Sequence, residues 1–196
     1  MRPGSHRHAA SVLWRRLDSP GHDACSLTES DGGWRLAGTA VFVHEGGPAR
    51  LDYDLACDGS WRTLRGEVSG WIGAKPVAHA TTRSEDGRWI HDGAAVPGLE
   101  ACVDLDLGFS PATNLLQLRR LALAEGQAAD APAAWLDVTT GALELLAQRY
   151  ERRAALAYWY EAPRFGYAAL LEVDALGFVR RYPGLWEVEA TSGTSP

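Results

Sequence analysis

Residues 49–59 read ARLDYDLACDG. Leu51, Tyr53, Leu55 and Cys57 alternate with charged Arg50, Asp52 and Asp54, so an extended chain puts the apolar side chains on one face and the charges on the other. That is the pattern of a half-buried strand. The Asp58-Gly59 that ends it is hairpin chemistry, because glycine accepts the positive φ of a tight turn. Upstream, Trp34, Leu36, Ala40 and Phe42 share a face, and Glu45-Gly46-Gly47-Pro48 returns the chain antiparallel. Downstream, residues 61–72 put Leu64, Val68 and Ile72 on one face and Trp61, Thr63, Arg65, Glu67, Ser69 and Trp71 on the other, unless a bulge at Gly66 or Gly70 breaks the register. Asp-Gly recurs at Asp31-Gly32, Asp86-Gly87 and Asp92-Gly93. Further strands are expected at 76–83, 101–107, 133–138 and 166–173. The expectation is a mainly β meander forming one domain over residues 11–189. The termini, 1–10 and 190–196, are rich in small and polar residues and are expected to fray.

The chain has 196 residues, enough to bury roughly 70% of its unfolded surface without disulfide or metal staples. Cys25, Cys57 and Cys102 form no CxxC and cannot all pair, which points to core thiols in a reducing compartment. A net charge of -6 repels phosphate backbones and excludes a general nucleic-acid partner. No stretch reaches the ~20 apolar residues of a transmembrane helix, and residues 1–30 show no signal-peptide pattern. A cytoplasmic protein is expected. Phosphate-loop, dinucleotide, hydrolase and zinc-protease motifs are missing, so no catalytic residue, cofactor or metal is assigned. His6 and His8 are read as solvent-facing.

The run 102–123, CVDLDLGFSPATNLLQLRRLAL, holds the most unusual chemistry. Asp104 and Asp106 alternate with Val103, Leu105 and Leu107, so a strand projects both carboxylates from one face. They can form a solvated face with an Arg partner, contact a ligand, or serve metal or acid–base chemistry. Ser110-Pro111 suits a turn or helix start. Asn114, the chain's single asparagine, can cap that turn or match a hydroxyl of a ligand. Arg15-Arg16, Arg119-Arg120, Arg152-Arg153 and Arg180-Arg181 are pairs of which at most one member each enters a cavity if they lie on strands. Of eight tryptophans, Trp61 and Trp71, sharing a face with Arg65, are the candidates for lining a groove; the rest read as core anchors. Residues 141–157 remain ambiguous. Leu143, Leu146, Ala147, Tyr150 and Ala154 fit a helix, whereas Gln148–Arg152 and Leu156–Tyr160 fit a hairpin.

The run DLDLGFSPATNLLQLRRL, with RWIHDG before it and QRYERR, YWYEA and VDALGFVRRYPGLW after it, resembles the Putative glycolipid-binding family, a former domain of unknown function, over roughly Trp14 to Trp186. Gln117 stands where that family's pattern leads one to expect proline. The family is similar in fold to the lipoprotein carriers of the Lol system. The resemblance implies a large curved antiparallel sheet, an open or half barrel of consecutive hairpins with at most one or two short helices. It also implies strands at 145–152 and 156–161. Carried over by position, it adds Asp104, Asp106, Thr113, Asn114, Arg119 and Arg120 to the ligand-site candidates. The expected function is non-catalytic binding of a lipid or glycolipid on the concave face. The alternatives are a hydrolase-like or transferase-like enzyme acting on a sugar or lipid head group through Asp104 and Asp106, and a protein-interaction β module.

Overall fold

The computed structural model describes residues 7–193. Six strands follow one another through the first part of the chain: β1 (Arg7–Arg16), β2 (Gly21–Ser30), β3 (Gly33–His44), β4 (Gly47–Asp58), β5 (Thr63–Ile72) and β6 (Lys75–Arg83). Each pairs antiparallel with the next, and the short β7 (Trp89–His91) and β8 (Ala94–Val96) extend the series. Three of the four Asp-Gly turns put their glycine at positive φ, Gly32, Gly87 and Gly93, whereas after Asp58-Gly59 it is Trp61 that takes it, at +66°. Asp31-Gly32 joins β2 to β3, and Asp92-Gly93 joins β7 to β8 with both residues at positive φ, +49° and +82°, the conformation that a type I′ hairpin requires.

The chain then leaves this sheet. β9 (Asp104–Leu107), a 3₁₀ turn at Pro111–Thr113, helix α1 (Asn114–Leu121), β10 (Ala128–Asp130), β11 (Ala133–Asp137) and β12 (Ala142–Leu146) come next. β13 (Arg149–Ala154), β14 (Ala157–Ala162), β15 (Tyr167–Val173), β16 (Val179–Tyr182) and β17 (Trp186–Gly193) complete the meander. β17 pairs with β1, which gives one open fourteen-stranded sheet running from β10 at one edge to β8 at the other. β12, β11 and β9 form a separate three-stranded sheet in which β9 and β11 are parallel. This small sheet and α1 pack on the inner face. Leu36, Leu51 and Leu55 of the large sheet share one core with Leu105 and Leu107 of β9 and with Leu115, Leu116 and Leu118 of α1. The inner face is therefore largely filled, and what remains open is a cleft at one end. Cys25, Cys57 and Cys102 are free and buried in the core, and no helix among the described residues is long and apolar enough to cross a membrane.

Three expectations change, and one ambiguity resolves. A register shift between Ala56 and Cys57 falls opposite Leu64 rather than at Gly66 or Gly70. It reverses the facing within residues 61–72, so Trp61 and Thr63 are buried while Arg65, Glu67 and Trp71 face outward. The single strand implied at 145–152 is two strands in two sheets, with the break at Ala147-Gln148, because the buried Gln148 turns in to bond Asp106. Helix propensity over 141–157 yields to burial of Leu143, Tyr150, Tyr158 and Tyr160 by alternating positions. β1 and β17 run past the expected limits of 11 and 189, with Ala10 opposite Gly193. Residues 1–6 and 194–196, His6 among them, lie outside the described residues.

Candidate functional site

The cleft has a volume of about 430 Å³. One wall comes from the strand ends of the large sheet. Arg16 ends β1 and Trp186 begins β17, while Phe42, Tyr160, Tyr167 and Tyr182 stand on β3, β14, β15 and β16. The opposite wall is the small sheet and the segment after β9, with Asp106, Asn114 and Trp135 bordering the space.

Aromatic rings brace one another around it. Tyr182 lies edge-on to Tyr160 at 5.7 Å and tilted to Tyr167 at 5.3 Å. Tyr167 donates its hydroxyl proton to the Pro183 carbonyl at 2.7 Å. Burial pushes the Tyr167 phenol up to about 12 and raises those of Tyr160 and Tyr182 well above their usual range, so all three stay neutral. Trp135 lies against Gly108, where a Cβ would come within 2.4 Å of the indole nitrogen. Phe165 meets the same indole edge-on at 5.4 Å, and the indole N–H is buried without a partner.

Three charged side chains border the cleft, Arg16, Asp106 and Asp137, the last with its carboxylate engaged by Thr139 N at 2.9 Å and Thr140 Oγ1 at 3.0 Å. The Arg16 guanidinium is held by Asp18 at 2.6 and 2.9 Å, between the rings of Phe42 and Trp186 at 5.3 and 5.6 Å, a cation–π arrangement. Asp106 lies deep, and its Oδ2 accepts from Gln148 Nε2 at 2.7 Å. Burial pushes its carboxyl up to about 6, with neighbouring Asp104 adding to the shift and Gln148 opposing it. Asn114 Nδ2 donates to the Tyr150 hydroxyl at 2.8 Å, so its side chain serves the interior and does not cap the helix. The turn that is capped is the preceding 3₁₀ turn, where Ser110 Oγ accepts from Ala112 N at 3.1 Å.

Of the residues singled out in the sequence, Asp106 and Asn114 border the cleft. Asp104 is fully buried and gripped by Arg120, whose Nε lies 3.1 and 3.0 Å from the two carboxylate oxygens and whose Nη2 is 2.5 Å from Oδ2. Thr113 Oγ1 accepts from Leu107 N at 3.2 Å and fixes the end of β9. Trp61 stacks on Trp34 at 4.5 Å, with the Arg119 guanidinium 5.2 Å from its ring centre. Arg65 reaches Asp54 and Glu67 on the outer face, where Trp71 is 40% exposed. None of these seven borders the cleft.

Sequence reasoning named Arg16 only as one member of an Arg-Arg pair and passed over the tyrosines, Trp186 and a buried group beneath the cleft. There Asp23 accepts from Tyr53 at 3.0 Å and from Ser110 Oγ, and burial pushes its carboxyl up to about 6 against those two hydroxyl bonds. Parity carried a signal for two of these residues. Arg16 shares the inward face of Trp14, and Asp23 that of Cys25 and Leu27. Gln148 had none.

The profile of the family described as Putative glycolipid-binding matches residues 11–188. The chain belongs to that family. A crystal structure of a DUF1089 family protein from Pseudomonas aeruginosa is similar to it, with 30% sequence identity, a TM-score of 0.76, and coverage of 89% of this chain and 94% of that one. A search of curated proteins finds no match. In this member of the glycolipid-binding family, Gln117, at the position where proline was expected, lies fully buried inside α1 and donates to Gln148 Oε1 at 3.3 Å. The helix thus reaches Asp106 through a relay of two glutamines.

Proposed function

We propose that this chain binds a lipid-like or glycolipid molecule in the cleft without converting it. The observation that carries the reading is the lining itself: aromatic walls around about 430 Å³, with a cation at Arg16 and a carboxyl at Asp106. That volume is at the lower end of the roughly 300–1,000 Å³ typical of small-molecule sites, which suits one acyl chain or one head group rather than a whole glycolipid. Each methylene buried contributes about 0.8 kcal/mol, so a short chain suffices for affinity while the polar groups select. The family's description supports the ligand class. The three buried free thiols support a reducing, cytoplasmic setting. A mechanism through the Asp104 and Asp106 pair finds less support, because Arg120 already holds Asp104, which does not border the cleft.

Native mass spectrometry of the purified chain, then titration with a single-chain alkyl glycoside below its micellar concentration, tests the reading. Trp186→Ala and Phe165→Ala should weaken binding at least about tenfold, and Trp71→Ala on the outer face should leave it unchanged. Phe165 is 53% exposed, so its replacement spares the fold. Equal affinity in all three folded variants would overturn the assignment.

A further inference from the structure

Away from the cleft, His79 of β6 and His91 and Asp92 of the β7–β8 hairpin each bring one ligand atom within 4.8 Å of the others. We infer that this cluster binds a divalent transition ion of the zinc class. Asp92 Oδ1 accepts from Ala80 N at 2.8 Å, which turns Oδ2 toward both imidazoles, 2.8 Å from His79 Nδ1 and 3.4 Å from His91 Nε2. A tetrahedral ion with bonds of about 2.1 Å holds its ligands about 3.4 Å apart, so a small swing of the partly buried His79 completes the set. The Gly141 carbonyl, 2.9 Å from His91 Nε2, supplies an oxygen as the fourth ligand. Two imidazoles and a carboxylate suit zinc, cobalt or nickel, not the all-oxygen preference of calcium or magnesium.

The groups behind the ligands fit as well. His91 Nδ1 lies 2.8 Å from the buried Thr81 Oγ1. When Nδ1–H donates to that hydroxyl oxygen, the Nε2 lone pair faces Asp92 Oδ2 and the Gly141 carbonyl, which is the tautomer a cation needs. In the other tautomer Nε2–H donates to Gly141 and the cluster closes on itself without metal. Gly141 has φ +74°, and a Cβ there would come within 2.9 Å of the His79 ring, so glycine permits the approach. Spacing motifs did not flag the site because its ligands come from two strands and a turn. The ion would tie the sheet edge to residues 138–141, the turn between β11 and β12 whose Val138 and Thr139 also wall the cleft.

The test is dialysis against Co²⁺ followed by elemental analysis and visible absorption, in a chain carrying His6→Ala and His8→Ala so that the terminal His-Arg-His contributes no ligands. One cobalt per chain with the strong visible bands of tetrahedral coordination is expected. His79→Ala and Asp92→Asn should each weaken retention at least about tenfold. Asparagine keeps an acceptor for Ala80 and tolerates the positive φ, so the second variant preserves the turn. No bound cobalt, or cobalt held equally by both variants, overturns the site.

Discussion

Two buried carboxyls, each pushed up to about 6, behave differently because of what surrounds them. Asp106 has one protein donor, Gln148, and borders the cleft. The folded chain keeps its proton between about pH 4 and 6, where the unfolded chain has lost it, so its contribution to stability falls as pH rises through that window. Asp106→Asn removes the titration. Urea unfolding at pH 4.5 and 8 should show the variant gaining on the parent by about 2 kcal/mol at the higher pH; a constant difference would mean an ordinary carboxyl. Asp23 accepts from two hydroxyls. An amide there sets a donor against Ser110 or Tyr53, so Asp23→Asn should cost about 1–3 kcal/mol in the same assay.

Helix α1 and strand β9 are locked by the Asp104–Arg120 pair. Burial raises the Asp104 carboxyl while Arg120 draws it back down. Arg120→Met keeps most of the apolar stem but strands a buried carboxylate, and should cost about 3–5 kcal/mol at neutral pH. Part of that loss should be recovered at acid pH, where the carboxyl takes up a proton. Urea titrations at the two pH values decide it. At this scale the sequence was legible where elements alternate and end in Asp-Gly, as β4 and the β7–β8 hairpin do. It was not legible where one extra residue reverses facing, as at Leu64, or where a strand changes sheets at Gln148. Both depend on partners far along the chain.

The first and last strands pair with each other in the middle of the large sheet. β17 therefore joins two runs of hairpins that otherwise have no shared ladder. Deleting residues 186–196 opens two internal edges and removes Trp186 from the cleft. The truncated chain should lose cooperative urea unfolding and near-ultraviolet circular dichroism, whereas truncation after Gly193 should leave both intact. Pairings this distant in sequence also predict folding in milliseconds to seconds, not microseconds.

By itself the sequence determined the β class, the hairpins and most inward and outward positions, because a period of two and the φ demanded by a turn are local properties of a few residues. Its resemblance extended that to the open curved sheet. Only the tertiary structure decided that α1 and a second sheet fill most of the inner face, that Asp106 opens to a cleft while Asp104 is closed by Arg120, and that His79 meets His91 and Asp92. Each of those outcomes rests on contacts between residues widely separated in the chain. Their geometry follows from how the layers pack, and no short window of sequence contains it.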